Sequence, residues 1–276
     1  MDNEKQHIIP SGYLRAWCTP NPPSHKKGSV WVIQKAAPET KELKSPSERF
    51  WLPDRYTIKS NGTRDLSVEN TLAAVEDRYA KVIRTIRDRG TIGPGERKSL
   101  DSFAAAMLAR TEPYAENVES ILRTIGKRAL KLEQKCGAEP GLSKQVEEHL
   151  QSVYGHTASI GMMEYSKMFF RMKLSIFVAD DEAGFVTCDA PCFMAVPGPF
   201  DLFERPFLGH KDVEVTLPLS PHHLALYSWK IPPVLDRPAD RQKVNQANSR
   251  TISGCKKEFI SWKGTARKEW FGVDYK

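Results

Sequence analysis

The sequence predicts an α+β fold, with a central helical bundle packed on an antiparallel β-sheet that is built mainly from the C-terminal half. Apolar residues recur at helical spacing from about residue 67 to 170 and at strand spacing from about 173 to 264. A run of helices followed by a run of strands is typical of α+β proteins. We expect a single domain over residues 1–276, because an early strand around Trp31 should join the late sheet.

The opening segment, Gln6 to Trp17, is too apolar for a free chain terminus. A loose tail would be polar and would not expose isoleucine, leucine, tyrosine and tryptophan side chains to water. We therefore expect this segment to dock on the body of the protein and to carry His7 and Arg15 with it.

The next part of the chain has one clear strand and a long stretch without a regular pattern. Residues 29–35 predict a strand, because they are β-branched and aromatic and are bounded by glycine and proline. Residues 36–61 are expected to be irregular. Three aromatic residues, Phe50, Trp51 and Tyr56, are expected to hold this stretch on the core.

The clearest helix is predicted from Ser67 to Arg87, where apolar residues follow alternating gaps of four and three and form one buried stripe. Glu69 and Glu76 are seven residues apart, so both lie on the same flank of that stripe. Further helices are predicted over residues 96–110 and 114–136, and one helix or a helix pair over residues 143–170.

The C-terminal part is predicted to be rich in strands. A strand, a turn and a second strand are expected over residues 174–188, and residues 192–196 extend the second strand. Two more strands, 213–219 and 223–228, are joined by a tight turn. A helix over residues 236–252 and a last strand over 258–262 complete the pattern.

Composition places the chain among ordinary globular proteins, with 40% hydrophobic and 27% charged residues. The net charge of +7 favours acidic partners, nucleic acid first, although solubility alone explains it equally well. No apolar run reaches the roughly 18 residues that a membrane helix needs. The N-terminus also lacks a basic region followed by an apolar core. We therefore expect a cytoplasmic protein without a membrane span.

Five cysteines at scattered spacing indicate reduced thiols and no disulfide framework. Cys188 and Cys192 are four residues apart, but a zinc site would need a second pair of ligands at matching spacing, and the sequence has none. His222 and His223 could supply ligands from a distant part of the chain. Cys188 could act as a nucleophile together with His7, or it could be inert packing at a strand end.

The sequence lacks the motifs of several large enzyme classes. It contains no phosphate-binding P-loop, no Gly-x-Gly-x-x-Gly, no His-Glu-x-x-His and no Gly-x-Ser-x-Gly. This absence argues against nucleotide-driven motors, dinucleotide-dependent enzymes, zincins and the common serine hydrolases.

Several short motifs follow one another in a recognisable order. They are His7-Ile8-Ile9-Pro10, Tyr13-Leu14-Arg15 with Trp17, Glu69 and Glu76 on a helix, Arg110-Thr111, Thr187-Cys188-Asp189-Ala190-Pro191, Pro218-Leu219-Ser220-Pro221, and Asn245 on a late helix. In this order they resemble, over most of the chain, the family called domain of unknown function 4238. Two positions depart from the family pattern: Glu112 precedes Pro113, and Cys188 stands where serine is frequent. The resemblance implies the fold and a candidate site, but no chemistry.

Seven polar residues within these motifs form the candidate site. His7, Glu69, Glu76 and Asp189 are the candidate catalytic residues, and Arg15, Arg110 and Asn245 are the candidate substrate-binding residues. If the fold gathers them, they could polarise water, hold a divalent metal through carboxylates, or bind a phosphate. Each also has a structural explanation, such as an ion pair between a glutamate and an arginine, or an Asx turn at Asp189.

Two functions of different classes fit this set of residues. The first is a hydrolase that acts on nucleic acid, a nuclease of the defence or toxin type. The second is a non-enzymatic binding or regulatory protein, in which the same residues form a structural ion-pair network. An open cleft that contains His7, Glu69 and Asp189 would favour the enzyme, and a sealed network would favour the second reading.

Overall fold

The N-terminal part of the chain forms short strands and short helical turns. A computed structural model describes residues 5–20, 22, 28–60, 63–139, 141–196 and 208–272. Its first elements are β1 (Lys5–His7), α1 (Ser11–Leu14), β2 (Val30–Gln34), β3 (Ala37–Lys44), β4 (Trp51–Pro53), β5 (Ile58–Ser60) and β6 (Thr63–Asp65). Antiparallel pairs join β1 to β4, β2 to β3 and β5 to β6.

The opening segment docks on the protein body, as expected. Ile9, Tyr13, Leu14 and Trp17 are all buried in the main core. The expectation of an irregular stretch over residues 36–61 is wrong, because this stretch contains β3, β4 and β5. Of its three aromatic residues, Tyr56 is fully buried and Phe50 is partly buried against the main core, as expected, whereas Trp51 is exposed.

Five helices follow, as the periodicity predicts. They are α2 (Ser67–Arg89), α3 (Pro94–Ala109), α4 (Glu112–Cys136), α5 (Leu142–Gln151) and α6 (Val153–Arg171). The whole apolar stripe of α2 is buried. Pro113 lies in the first turn of α4, where its missing N–H has no helical partner to lose, so it begins the helix and does not kink it. Within the described ranges, no helix combines the length and the apolar character needed to span a membrane.

The C-terminal part supplies most of two larger sheets. Its elements are β7 (Lys173–Ala179), β8 (Thr187–Cys188), β9 (Phe193–Ala195), β10 (Glu214–Ser220), β11 (His223–Ser228), β12 (Arg237–Ala239), α7 (Arg241–Gly254) and β13 (Glu258–Ser261). One sheet has the order β12-β7-β11-β10-β9 and the other has the order β3-β2-β13-β8. The pairing of β2 with β13 confirms that the early strand joins the late sheet.

The five-stranded sheet is covered on both faces. On one face, Val215, Leu217 and Leu219 of β10 join the main core beneath the helices. In that core, Tyr79 of α2 and Phe103 of α3 stack with their ring centroids 3.7 Å apart. On the opposite face, α7 packs through a smaller apolar cluster. The helical bundle and α7 therefore create two separate environments on the two sides of one sheet.

Candidate functional site

The structure gathers four of the seven candidate residues at the border between the N-terminal strands and the helical bundle. They lie with two further residues, Arg55 and Tyr56, from the turn before β5. We call this set the Arg110 cluster, and its members are His7, Arg55, Tyr56, Glu69, Glu76 and Arg110. Four of these residues are close enough to Tyr56 to change the pKa of its hydroxyl. Arg110 and Arg55 lower that pKa, and Glu69 and Glu76 raise it.

Arg110 lies at the C-terminal end of α3, and its side chain is completely buried. Its Nε donates a hydrogen bond to the carbonyl oxygen of Ala106 at 3.3 Å, and its Nη1 donates to Oε1 of Glu76 at 2.9 Å. Its Nη2 has no hydrogen-bond partner among the described residues. The guanidinium is therefore held in place on one side and still has a donor available on the other.

Tyr56 is fully buried, and its hydroxyl also lacks a hydrogen-bond partner in the described part of the chain. Burial raises the pKa of Tyr56 to about 12, against the opposing effect of the two arginines. The hydroxyl is therefore protonated at neutral pH. The backbone N–H of Tyr56 donates to the side-chain oxygen of Gln6, whose Nε2 donates to Oγ1 of Thr57 at 2.9 Å. Gln6 thus ties β1, and with it His7, to this turn.

His7 ends β1, opposite Trp51 of β4, and its ring is about half buried. Burial lowers the pKa of His7, a hydrogen bond to the backbone of Ser47 opposes this effect, and the nearby charges have smaller effects. The ring nitrogen Nε2 is buried and has no partner among the described residues. At neutral pH the ring is therefore uncharged, and Nε2 is able to accept a proton.

Arg55 extends the cluster toward α6. Its guanidinium carbon lies 3.2 Å from the ring centroid of Tyr154, and its Nε and Nη2 are buried with no partner in the described ranges. The next residue of α6, Gly155, lets the turn approach closely, because a Cβ there would lie 2.9 Å from the carbonyl oxygen of Tyr56. Sequence reasoning missed both Arg55 and Tyr56 as site residues. The available signal was that a buried tyrosine hydroxyl needs a partner.

Five buried polar atoms of the Arg110 cluster share the absence of a hydrogen-bond partner within the described structure. They are His7 Nε2, Arg55 Nε and Nη2, Tyr56 OH and Arg110 Nη2. The large majority of buried polar atoms in folded proteins are hydrogen-bonded, so such a concentration in one place needs an explanation. Four of the five atoms are donors, and two side chains are cationic. This chemistry suits an oxyanion, and Glu76, whose side chain is 30% exposed, marks an open side.

Asp189 belongs to a different part of the molecule. Its carboxylate accepts hydrogen bonds from the backbone N–H groups of Lys256 at 2.8 Å, Lys257 at 2.7 Å and Glu258 at 3.3 Å. These bonds fix the turn that leads into β13. The open cleft with His7, Glu69 and Asp189 that would favour the enzyme is not found, because no interaction seen among the described residues links Asp189 to the Arg110 cluster. Three backbone N–H groups of the turn orient the Asp189 carboxylate, which gives it a structural role there.

The remaining two candidates also lie outside the cluster. Oδ1 of Asn245 accepts hydrogen bonds from Nη1 of Arg267 at 3.0 Å and from Nε1 of Trp270 at 2.9 Å, so this amide fastens the C-terminal segment to α7. Arg15 is exposed. Burial raises the pKa of the Cys18 thiol, and the positive charge of Arg15 opposes this effect. Asn245 therefore forms structural hydrogen bonds, and Arg15 lies at the surface.

Cys188 is buried and lies beside the partly buried Asp189. Ligand atoms of Cys188, Asp189 and Cys255 lie within 4.8 Å of one another, the one such set of three possible metal ligands that the described residues contain. Burial raises the pKa of the Cys188 thiol well above its ordinary value. Its sulfur contacts the backbone at Thr251 and Ala190. A buried, protonated thiol is a poor nucleophile, and the Asp189 carboxylate already accepts three backbone N–H groups, so this group is best explained as packing.

Comparison with known proteins identifies a family and nothing closer. No curated protein and no solved structure matches the chain significantly. A family model described as protein of unknown function (DUF4238) matches residues 5–264, a range that contains the whole Arg110 cluster. This match confirms the resemblance seen in the order of the motifs. The chain is therefore a member of the DUF4238 family.

Proposed function

We propose that the Arg110 cluster binds a phosphodiester and that this protein is a hydrolase acting on nucleic acid. The observation that carries the proposal is the group of five buried polar atoms without partners. A phosphate group offers oxygen acceptors to donors that otherwise remain unpaired, and leaving such donors buried is costly. The net charge of +7 supports a polyanionic substrate.

The arginines are suited to hold a phosphate. A guanidinium presents several N–H donors in a planar fork that matches phosphate oxygens. Arg110 is oriented by its hydrogen bond to Glu76, so its unpaired Nη2 occupies a fixed position. Arg55 is oriented by stacking on Tyr154. These contacts order the donors before the substrate arrives, which reduces the entropy lost on binding.

His7 and Tyr56 supply the proton transfers that phosphodiester hydrolysis needs. The uncharged His7 Nε2 takes a proton from a water molecule as the water oxygen bonds to phosphorus. The bond between phosphorus and the leaving sugar oxygen then breaks, and Tyr56 OH gives its proton to that oxygen. The arginines stabilise the extra negative charge in the transition state. The proton on His7 returns to Tyr56 through solvent, so the products are a phosphomonoester and an alcohol.

The carboxylates have a supporting part in this proposal. Glu76 positions Arg110 through the 2.9 Å hydrogen bond. Glu69 and Glu76 are also the oxygen ligands that a divalent cation would use beside a phosphate. Cleavage measured with Mg²⁺ or Mn²⁺ and again with EDTA decides between these two roles. Loss of cleavage in EDTA indicates that the glutamates bind a cation, and unchanged cleavage indicates that Glu76 only positions Arg110.

The deciding experiment compares His7→Asn with the wild type. Asn retains a donor toward the Ser47 backbone but cannot accept the proton, so we expect cleavage of bis(4-nitrophenyl) phosphate and of labelled single-stranded RNA or DNA to fall roughly 100- to 10,000-fold. The melting temperature should stay the same. His149→Asn, on the exposed side of α5, is the matched control. A wild type that cleaves none of these substrates, or an unchanged rate in His7→Asn, contradicts the proposal.

The second candidate is a non-enzymatic protein in which the cluster is a structural ion-pair network. The ion pair between Glu76 and the fully buried Arg110 favours it, because each partner already neutralises the other. This alternative predicts that Glu76→Gln and His7→Asn lower the melting temperature and that no turnover is found with any phosphodiester. The two candidates therefore separate in one set of variants.

A further inference from the structure

A cavity of about 300 Å³ lies between α7 and the face of the five-stranded sheet that points away from the helical bundle. None of its lining residues belongs to the Arg110 cluster. It is large enough for a molecule of several non-hydrogen atoms and is open to solvent at one side. It therefore needs an explanation of its own.

Strand register places the walls of this cavity. Thr216 of β10 is paired with Leu226 of β11, and Leu224 of β11 is paired with Phe177 of β7, so their side chains share one face of the sheet. Above them, the lining residues of α7 are Lys243, Gln246, Ala247 and Arg250, which form one helical stripe. Ala247 is small, and the space that a larger side chain would fill remains open.

The cavity has an apolar floor and a cationic rim. The floor residues Phe185, Leu224, Leu226 and Ala239 are all buried, and so is Ala247 of α7 above them. The rim carries Arg237 and Lys243, which are exposed, together with the ion pair of Arg250 and Glu214 at 2.7 Å. The lining thus contains three cations and one anion, and Lys243 has a further acidic neighbour in Asp240, whose Oδ2 lies 3.6 Å from its Nζ. An apolar interior with a positive mouth is complementary to a molecule with an apolar body and a negative head group.

Thr216 gives a second, independent sign of a ligand. Its side chain is 3% exposed and lines the cavity, and its Oγ1 has no hydrogen-bond partner among the described residues. A valine of the same shape would fill this position without a buried, unpaired hydroxyl. Small-molecule binding sites are mostly apolar and contain a small number of precisely placed polar groups. In this cavity, the Thr216 hydroxyl is such a polar group.

We infer that this cavity binds a small amphipathic carboxylate. The apolar body lies against Phe185, Leu224 and Leu226, the carboxylate lies near Arg237 and Lys243, and the Thr216 hydroxyl bonds a polar atom of the ligand. This site is independent of the Arg110 cluster, so the proposed hydrolase activity can fail while this inference holds.

Calorimetry of the 276-residue chain tests the inference with a defined panel of small molecules. The carboxylates are butanoate, hexanoate, octanoate and 3-phenylpropanoate, and 1-hexanol is the neutral counterpart of hexanoate. We expect at least one carboxylate to bind with one-to-one stoichiometry and hexanol to bind at least about tenfold more weakly than hexanoate. A panel in which no carboxylate binds, or in which hexanol binds as well as hexanoate, overturns the inference.

Variants locate the binding. Ala247→Phe fills the cavity and should abolish binding, whereas Gln242→Phe, on the exposed side of the same helix, should leave it unchanged. Lys243→Ala should weaken binding roughly two- to fivefold, with Arg241→Ala as its control. Equal affinity in Ala247→Phe and the wild type overturns the location.

Thr216→Val remains informative if Ala247→Phe does not fold. Loss of a ligand hydrogen bond should weaken binding roughly two- to tenfold. The ligand-free variant should melt at the same temperature as the wild type or higher, because it no longer buries an unpaired hydroxyl. Unchanged affinity together with a lower melting temperature would show a hydroxyl that serves the fold, and would overturn its role in binding.

Discussion

The Arg110 cluster and the Asp189 turn, in which Asp189 accepts from residues 256–258, use charged side chains in opposite ways. In the Asp189 turn, one carboxylate accepts three backbone N–H groups. In the Arg110 cluster, five buried polar atoms have no partner within the described ranges. Asp189 and four of the six residues of the Arg110 cluster come from the same set of sequence motifs. The difference teaches that residue type alone does not distinguish a structural contact from a candidate site. The distinction lies in whether the buried polar atoms already have hydrogen-bond partners.

The largest expected effect is on the stability of the Asp189 turn. Asp189→Ala leaves three N–H groups without their acceptor, and hydrogen bonds to charged groups contribute about 1.5–3 kcal/mol each, so we expect a total loss of about 3 kcal/mol for this partly exposed turn. Urea unfolding measures it. Asp189→Asn keeps one acceptor oxygen and should lose less than half as much. A loss below about 1 kcal/mol would contradict the structural role.

The next effect concerns the position of the Arg110 cluster. In Gly155→Ala, the added Cβ would lie 2.9 Å from both the carbonyl oxygen of Tyr56 and Cγ1 of Ile58, so the turn must move. We expect a loss of about 1–3 kcal/mol in unfolding free energy and a lower cleavage rate. Gly95→Ala, in the first turn of α3 and with no atom within 4 Å of its Cβ, is the control that should not destabilise the protein.

Two buried tyrosines allow a matched comparison of smaller effects. Tyr13 OH contacts Oγ1 of Thr187 at 2.8 Å and donates to the carbonyl oxygen of Pro218 at 2.7 Å, whereas Tyr56 OH has no partner among the described residues. Tyr13→Phe should therefore cost about 1–2 kcal/mol in chemical unfolding, and Tyr56→Phe should cost nothing. Equal losses in the two variants would show that the contrast between these hydroxyls is not real.

The smallest effect is the pH dependence contributed by His7. Burial lowers its pKa below 6.5, so the unfolded chain binds this proton first as the pH falls. Stability should fall as the pH decreases from above 6.5 to the folded-state pKa and should then level off. His7→Asn should lack this component when unfolding is measured between about pH 5 and 8. Bound inorganic phosphate should raise the pKa of His7 in an NMR titration, and a pKa that does not move would argue against a phosphate in the cluster.

Some of the fold follows from the sequence, and the rest depends on distant partners. The stripe of α2 is predictable because every gap of its apolar residues fits the helical repeat. The edge strand β3 is not, since its mostly exposed residues show no alternation. The strands β7 and β8 were expected to form a strand-turn-strand unit, but they lie in different sheets. Between them, Gly184 has φ +64° and packs tightly against Pro221, which turns the chain away, and no local pattern reveals that contact.

The candidate site was also predictable in part. Spacing places Glu69 and Glu76 on one flank of α2, and the structure brings Glu76 to His7 and Arg110 and Glu69 to Tyr56. Arg55 could not be found, because it lies in a turn without periodicity. Asp189 carries a carboxylate in a turn motif, and Asn245 carries an amide on a helix. Nothing in the sequence tells which backbone or side-chain donors will form hydrogen bonds to them.

The pairing of β2 with β13 has a consequence for protein synthesis. Trp31 pairs with Ser261, so β2 leaves the ribosome long before its partner is made. Until then, one edge of an apolar strand has no neighbour, and such an edge is prone to associate with other nascent chains. Translation that stops before residue 258 should therefore give insoluble product, and a holding chaperone should be most useful during that interval.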